Sequence, residues 1–412
     1  MYARSVRCFV RCKRKDNMMS NEQNELPEIT RIYPTLPSIL RKYERYGRQD
    51  AFRGSTQAEF EAWRKKSRAT LWKLLGLDKM DTCALEPEID EVVRLSTQEG
   101  GREMKTARGK AEKKGPDSTI LRYHILIHTE PDITLSAYLL VPAPANADTP
   151  VILCPPGHNG DGKFTVAGVR GYRAIEESIE KYNYDFGWQL ACLGYVTFCP
   201  DVRGFGERRE LLEDTETLPL AMKGDCYWLA HMGEPIGIPV LGMLSWDLMR
   251  CVDFLQEYVG AEEWKEQWNP NRILAFGFSG GAMQSLYLSA LDERIHASFL
   301  SGYMYGFRDS LLRMNRNCSC NYVPHLMEHF DMGDLASLIA PRRLMIQSCR
   351  ADRLAGERGL QNVQEQVDMV RANYGVMGKA ENVQQDIEEG PHHLDTSHLK
   401  EIVEWMVEEN RI

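Results

Sequence analysis

Along residues 150–408, two kinds of segment follow one another in turn. Short, continuous apolar runs are separated by longer segments with helical spacing. The runs predict strands at residues 151–156, 195–201, 272–278, 297–303, 342–349 and 382–388. The segments between them predict helices at residues 174–193 (ending at Gly194), 241–258, 280–291, 360–374 and 396–408. Continuous apolar strands separated by helices indicate an α/β fold with a mostly parallel sheet that is covered on both faces.

The chain before residue 150 has two other patterns. Residues 123–128 and 133–141 alternate around a turn at residues 130–132, which predicts an antiparallel hairpin at the edge of the sheet. Residues 36–77 have helical spacing, with Thr56 and Glu59 at the separation of a capping box. We therefore expect an N-terminal helical pair that packs on the main body.

These patterns divide the chain into three parts. We expect a disordered, basic and polar N-terminus (1–35), a helical extension with a charged loop at 101–118 (36–118), and an α/β domain (119–412). Two connections in the last part, 202–240 and 304–340, are long enough to be functional insertions.

Composition narrows the class of protein. The chain has 412 residues, of which 43% are hydrophobic and 26% charged, as in folded water-soluble proteins. Its net charge of −9 argues against nucleic acid, and its longest apolar runs are too short to span a membrane. The 11 cysteines are irregularly spaced, which is typical of free thiols in a reducing compartment, so we expect a cytoplasmic protein.

The first 15 residues differ from the rest in charge. They hold six basic and no acidic residues, so the remaining chain carries −15. An organelle transit peptide is one interpretation. The other is an upstream extension, with Met18 or Met19 as the start.

The clearest chemical motif is G-x-S-x-G at residues 277–281, between a predicted strand and a predicted helix. A serine at such a junction lies on a strained turn that exposes its hydroxyl above the sheet. Ser279 is therefore the predicted nucleophile, and the backbone N–H of Gly280 is a predicted oxyanion donor.

A serine nucleophile needs a histidine as base and an acid that orients the histidine. Where the serine lies on such a strand-to-helix turn, the chain order is serine, then acid, then histidine. Asp352 comes just after strand 342–349, and His392 just after strand 382–388. We predict these two as the acid and the base. The sequence also offers rivals, which are His393 and His398 for the base and Glu357, Asp331 and Asp334 for the acid.

The glycine-rich loop after the first parallel strand, residues 156–163, predicts a second oxyanion donor. Its glycines let backbone amides approach a substrate, and we expect the N–H of His158 to be that donor. The loop lacks the spacing of a phosphate-binding loop.

With these residues, the chain resembles the α/β-hydrolase superfamily, and within it the acetyl xylan esterase-like branch, which is related to dienelactone hydrolases. Further motifs carry this resemblance at residues 201–207 (DVRGFGE), 246–250 (WDLMR), 320–324 (CNYVP), 331–334 (DMGD) and 339–342 (IAPR). It covers roughly residues 85–410. It implies Ser279, Asp352 and His392 as the triad, with Gly280 and His158 at the oxyanion positions, and it favours short acyl groups such as acetyl.

A zinc site is the other chemistry that the sequence suggests. Cys318, Cys320, His325 and His329 hold suitable ligand atoms, but the spacing is not that of a common zinc motif. We therefore expect no metal and no cofactor.

The expected activity is hydrolysis of a small-molecule carboxylic ester through an acyl-enzyme. A peptidase or amidase would use the same triad, and a non-catalytic binding protein could share the fold. The sequence leaves homo-oligomerisation open.

Overall fold

The computed structural model describes residues 31–97, 103–104, 118–158, 161–210, 224–264, 267–314 and 317–408. The predictions for residues 1–30, and those for most of the charged loop at 101–118, lie outside these ranges.

A ten-stranded sheet forms the centre of the molecule, in the order β10-β9-β8-β7-β5-β6-β4-β3-β1-β2. The strands are β1 Glu88–Ser96, β2 Glu103–Met104, β3 Thr119–Glu130, β4 Ile133–Pro142, β5 Pro150–Leu153, β6 Val196–Pro200, β7 Asn269–Phe278, β8 Ile295–Ser301, β9 Arg343–Cys349 and β10 Val383–Glu388. From β10 to β6 all neighbours are parallel, and from β6 to β2 all are antiparallel. The predicted parallel strands are all present, and this is the α/β-hydrolase fold.

The antiparallel side is larger than the sequence analysis predicted. The hairpin of β3 and β4 forms as expected, but β1 pairs with β3 on its outer side. The hairpin is therefore not the edge of the sheet. In β1 the alternation of apolar and polar residues is weak, because most positions of this strand are exposed or half-buried. The hydrophobic pattern of the sequence therefore did not predict it. The division of the chain into domains stays a prediction.

Helices cover both faces of the sheet. They are α1 Leu36–Tyr46, α2 Gln57–Leu74, α3 Lys163–Val166, α4 Arg173–Tyr182, α5 Phe186–Cys192, α6 Cys226–Gly233, α7 Val240–Glu257, α8 Gly280–Leu291, α9 Leu326–His329, α10 Met332–Ser337, α11 Leu360–Val376 and α12 Leu399–Val407. Among the described residues no helix is both long and apolar enough to cross a membrane.

The prediction of one helix over residues 174–193 is wrong. Asn183 adopts a left-handed conformation with φ of 54°, and the helix divides there into α4 and α5. Asparagine tolerates this conformation better than most residues, so the apolar spacing continues across the break without revealing it.

Each face of the sheet carries its own apolar core, because successive strand residues point to opposite sides. On β7, Ile273 and Ala275 belong to one core, while Leu274 and Phe276 belong to the other. The ring of Phe276 stacks on Phe299 of β8, with centroids 4.0 Å apart. Both faces are thus packed with apolar side chains beneath the carboxyl ends of the strands.

The N-terminal helices pack on the main body as predicted. The capping box of Thr56 and Glu59 is present at the start of α2, and Phe60 and Leu71 are fully buried. Residues 48–50 donate backbone hydrogen bonds to the carbonyls of residues 327–329.

Candidate active site

Ser279 lies at the junction of β7 and α8, at the carboxyl end of the parallel strands. Its backbone has φ of 56° and ψ of −120°, which a residue with a side chain adopts only under strain. Its N–H donates to the carbonyl of Ser301 on β8 (2.8 Å), and its carbonyl accepts from Met283 in α8 (3.0 Å). These bonds hold the strained turn, and the residue remains half-buried rather than enclosed.

The glycines around Ser279 are required by close packing. A Cβ on Gly277 would lie 2.2 Å from the carbonyl of Gly281, and one on Gly281 would lie 2.4 Å from the carbonyl oxygen of Pro155. The strand and the helix therefore cross too closely for side chains, as the motif predicts.

The predicted acid and base lie together. Nδ1 of His392 is 2.6 Å from Oδ2 of Asp352, and both side chains are largely buried. The imidazole also stacks on Phe278, the residue before Ser279, with ring centroids 4.7 Å apart. The structure thus places the His392 ring against the nucleophile turn.

The rivals for the acid and base have other partners. Nδ1 of His393 is 2.8 Å from the carbonyl oxygen of Pro391 and 3.4 Å from Sγ of Cys349. His398 is the residue before the first turn of α12. Glu357 is exposed and 3.4 Å from Arg313. Asp331 and Asp334 form the capping box of α10. None of these contacts leads to Ser279.

The oxyanion loop, residues 156–163, begins against α8. Gln284 of α8 donates to the carbonyl of Pro156 (2.7 Å). The ring of His158 fills the space beside Gly280, where a Cβ would lie 2.6 Å from Nδ1 of the ring. The two predicted oxyanion residues are therefore neighbours, next to Ser279.

Tyr184 is a site residue that the sequence analysis missed. Its hydroxyl lies close to the side chain of Ser279 and to the backbone N–H of His158. Burial raises the pKa of Tyr184, so the phenol stays protonated and able to donate. Gly157 makes room for it, because a Cβ there would lie 1.6 Å from this hydroxyl. Tyr184 lies in the break between α4 and α5, which the prediction of one continuous helix concealed.

A buried ion cluster anchors the end of the oxyanion loop. The ammonium of Lys163 is 2.7 Å from both Asp201 and Glu207, and the Asp201 carboxylate also accepts the N–H groups of Lys163 and Glu207. A hydrogen bond from His124 lowers the pKa of Glu207, and Lys163 adds to this effect. The motif at residues 201–207 thus holds the loop in place and does not reach Ser279 itself.

The residues considered for zinc in the sequence do not come together. His329 is 2.7 Å from Asp50, and His325 is 2.9 Å from Glu328, on the surface beside the N-terminal helices. Cys318 and Cys320 lie elsewhere, next to His158.

Known proteins share this architecture. No family model matches the sequence. The protein YtaP of Bacillus subtilis (strain 168), named as a candidate hydrolase, is 26% identical over 245 residues, which are 58% of this chain and 72% of YtaP. A candidate acetyl xylan esterase from Bacteroides fragilis NCTC 9343 matches with a TM-score of 0.64 and 18% identity, over 86% of this chain and 82% of its own. A CE15 glucuronoyl esterase from Teredinibacter turnerae T7901 matches with a TM-score of 0.56 and 13% identity, over 88% and 87% of the two chains. These solved structures share the fold with this chain.

Proposed function

We propose that this protein is a serine esterase that cleaves carboxylic esters through a covalent acyl-enzyme. The observation that carries the proposal is the strained turn of Ser279 beside the hydrogen-bonded pair of His392 and Asp352. The esterase names of proteins with the same fold support the reaction class.

The reaction begins when the Ser279 hydroxyl attacks the ester carbonyl and His392 takes its proton. Asp352 accepts the Nδ1–H of His392, which keeps Nε2 free as the base and stabilises the imidazolium that forms. His392 then protonates the leaving alcohol. Water activated by the same imidazole hydrolyses the acyl-enzyme and restores the Ser279 hydroxyl.

The negative oxygen that develops during attack needs donors on the side of the oxyanion loop. The backbone N–H of Gly280, at the start of α8, is one of them. The backbone N–H of His158 is the second donor in this proposal, as the sequence predicts. The hydroxyl of Tyr184 lies close to both this N–H and Ser279, so it is proposed as a further donor.

The substrate proposed here is a short-acyl ester, such as an acetyl ester, of a carbohydrate or another small molecule. Both insertions approach the nucleophile: Phe205 of 202–240 and Cys320 of 304–340 each contact the ring of His158. Side chains from both insertions thus pack around His158, next to the nucleophile turn, which supports the proposal of a small acyl group.

Labelling with a fluorophosphonate, followed by mapping of the modified residue, tests the nucleophile. We expect the label on Ser279, and loss of ester hydrolysis by ~10⁴-fold or more in Ser279→Ala. Ser285→Ala is the matched control, since Ser285 is fully buried on the same helix α8 and its hydroxyl has no partner in the described parts of the chain. Label on another residue, or full activity of Ser279→Ala, contradicts the proposal.

Parallel assays with acetyl esters and amino-acyl amides separate an esterase from a peptidase or amidase. We expect turnover of the esters only. Faster hydrolysis of the amides would move the protein to the second class, and no turnover of either would favour a binding protein.

A further inference from the structure

Three cysteines from two distant parts of the chain meet beside the oxyanion loop. Cys226 begins α6, and Cys318 and Cys320 flank Ser319 in a short 3₁₀ turn. Helix α6 packs against this turn, so the three thiols lie near one another, and all three cysteines are free in this structure. We call these three residues the thiol cluster.

His158 adds a nitrogen to the thiol cluster. Its Nε2 lies 3.0 Å from Sγ of Cys320, and the thiol of Cys318 lies close by. The ligand atoms of His158, Cys318 and Cys320 all lie within 4.8 Å of one another. In a tetrahedral zinc site, Zn–S distances of ~2.3 Å and Zn–N distances of ~2.0–2.1 Å place the ligand atoms about 3.5–3.8 Å apart. The 3.0 Å contact between His158 and Cys320 would therefore lengthen slightly, and the thiol of Cys226 would move in as the fourth ligand.

We propose that the thiol cluster and His158 bind one Zn²⁺ ion in a closed, four-coordinate structural site. Three thiolates and one imidazole are a common ligand set for structural zinc, and soft sulfur ligands exclude magnesium and calcium. Cys226 and Cys320 are buried almost completely, so their side chains are withdrawn from competing water. The sequence analysis expected no metal, because it considered the two cysteines together with His325 and His329. In the folded chain those histidines lie on the surface, and His158 and Cys226 lie near the cysteines instead.

The site joins three segments that have no local connection. His158 belongs to the oxyanion loop, Cys226 to the 202–240 insertion and the other two cysteines to the 304–340 insertion. The ring of His158 also lies against Gly280, at the nucleophile turn. A metal ion would therefore fix both insertions and the oxyanion loop relative to α8, in the manner of a crosslink. The metal site itself does not depend on the proposed esterase activity.

Metal content and X-ray absorption at the zinc edge test the proposal on the full-length wild-type chain. After equilibration with Zn²⁺ and removal of loosely bound metal, we expect about one zinc per chain, with a first shell of three sulfur atoms and one nitrogen at the distances above. This measurement needs no variant, so it remains decisive even if a substitution prevents folding. A shell of oxygen and nitrogen only, or no bound zinc, overturns the proposal.

Substitutions locate the ion. Cys226→Ser, and the double variant Cys318→Ser with Cys320→Ser, should each lower zinc retention at least about tenfold. Cys251→Ala, which removes a buried thiol of α7 outside the thiol cluster, should keep it. Equal zinc in all variants overturns the proposal, as does mass spectrometry that finds a disulfide within the thiol cluster of the native protein. If the wild type has no esterase activity but Ser279→Ala still retains zinc, the proposed function is wrong and the zinc site stands.

Discussion

His392 and Asp352 are 40 residues apart in the chain, and a hydrogen bond of 2.6 Å joins them between Nδ1 and Oδ2. The second carboxylate oxygen of Asp352 accepts the N–H of Leu354 (2.9 Å), so the carboxylate is held from two directions. This arrangement fixes which imidazole nitrogen carries the proton. The other nitrogen is left free, as the base in the proposed mechanism must be.

Asp352→Asn should therefore lower kcat by about 10³–10⁴-fold, because an amide no longer enforces that tautomer. The melting temperature should change little. Steady-state hydrolysis of p-nitrophenyl acetate measures the effect, and Glu357→Gln, a change at the rival acid, should keep wild-type rates. An inactive Glu357→Gln with an active Asp352→Asn would reverse the assignment.

Tyr184→Phe removes the hydroxyl that contacts Ser279 without removing the ring. We expect kcat to fall about 10²–10³-fold with KM within a few-fold of wild type, since the lost bond forms mainly in the transition state. Tyr182→Phe, on the same segment, provides the control. A variant that loses affinity instead of kcat would show that Tyr184 binds substrate and does not stabilise the oxyanion.

Lys163→Met tests the ion cluster under the oxyanion loop. The side chains of Lys163 and Asp201 are both fully buried, so removal of the cation leaves an unpaired buried carboxylate. We expect the free energy of unfolding to fall by about 3–5 kcal/mol, measured by urea denaturation. Arg173→Ala breaks an exposed ion pair with Glu177 and should leave stability close to that of wild type. Equal stability of Lys163→Met and wild type would show that the cluster does not anchor the loop.

Asp161 predicts a pH-dependent loss of stability. Burial raises the pKa of its carboxyl to about 7, and neither oxygen has a hydrogen-bond partner among the described residues. In the unfolded chain the pKa is about 3.9, so between pH 4 and 7 the folded protein holds a proton that the unfolded chain has lost. Stability therefore falls as pH rises through this window, by up to ~4 kcal/mol from this group.

Asp161→Asn should remove that loss. Its melting temperature should exceed that of wild type at pH 8 and match it at pH 4, in thermal scans across this range. Asp148→Asn alters an exposed carboxylate and should follow wild type at every pH. Parallel pH profiles for Asp161→Asn and wild type would exclude a buried neutral acid.

A substitution at Trp228 tests whether the substrate is a carbohydrate ester. Trp228 and Tyr227 are about half exposed on α6, with ring centroids 5.3 Å apart, and they directly follow Cys226 beside the oxyanion loop. Exposed aromatic pairs of this kind mark ligand or partner surfaces. We expect Trp228→Ala to raise KM for acetylated xylo-oligosaccharides about 5–30-fold, equivalent to about 1–2 kcal/mol, without changing hydrolysis of p-nitrophenyl acetate. Tyr46→Ala, at an exposed aromatic of α1, is the control, and an unchanged KM in Trp228→Ala would argue against a sugar on this surface.

Local patterns were sufficient for most of the parallel sheet and for the turn at Ser279. Strand β7 and helix α8 are each specified by their own spacing, and the glycines at 277 and 281 specify how closely they cross. Asp352 and His392 could be placed because each follows a strand, and parallel strands end at one edge of the sheet. Strand β1 and the break at Asn183 were missed, because a half-exposed strand and one left-handed residue leave little trace in the hydrophobic pattern.

The sequence by itself therefore determined the α/β fold and the residue types and order of the candidate active site. Only the tertiary structure decided which side chains face Ser279 and the oxyanion loop. Tyr184 reaches Ser279 from 95 residues away, and Cys320 reaches His158 from 162 residues away. Such contacts depend on how whole elements pack, and no periodicity or short motif encodes the distance between elements that are far apart in the chain.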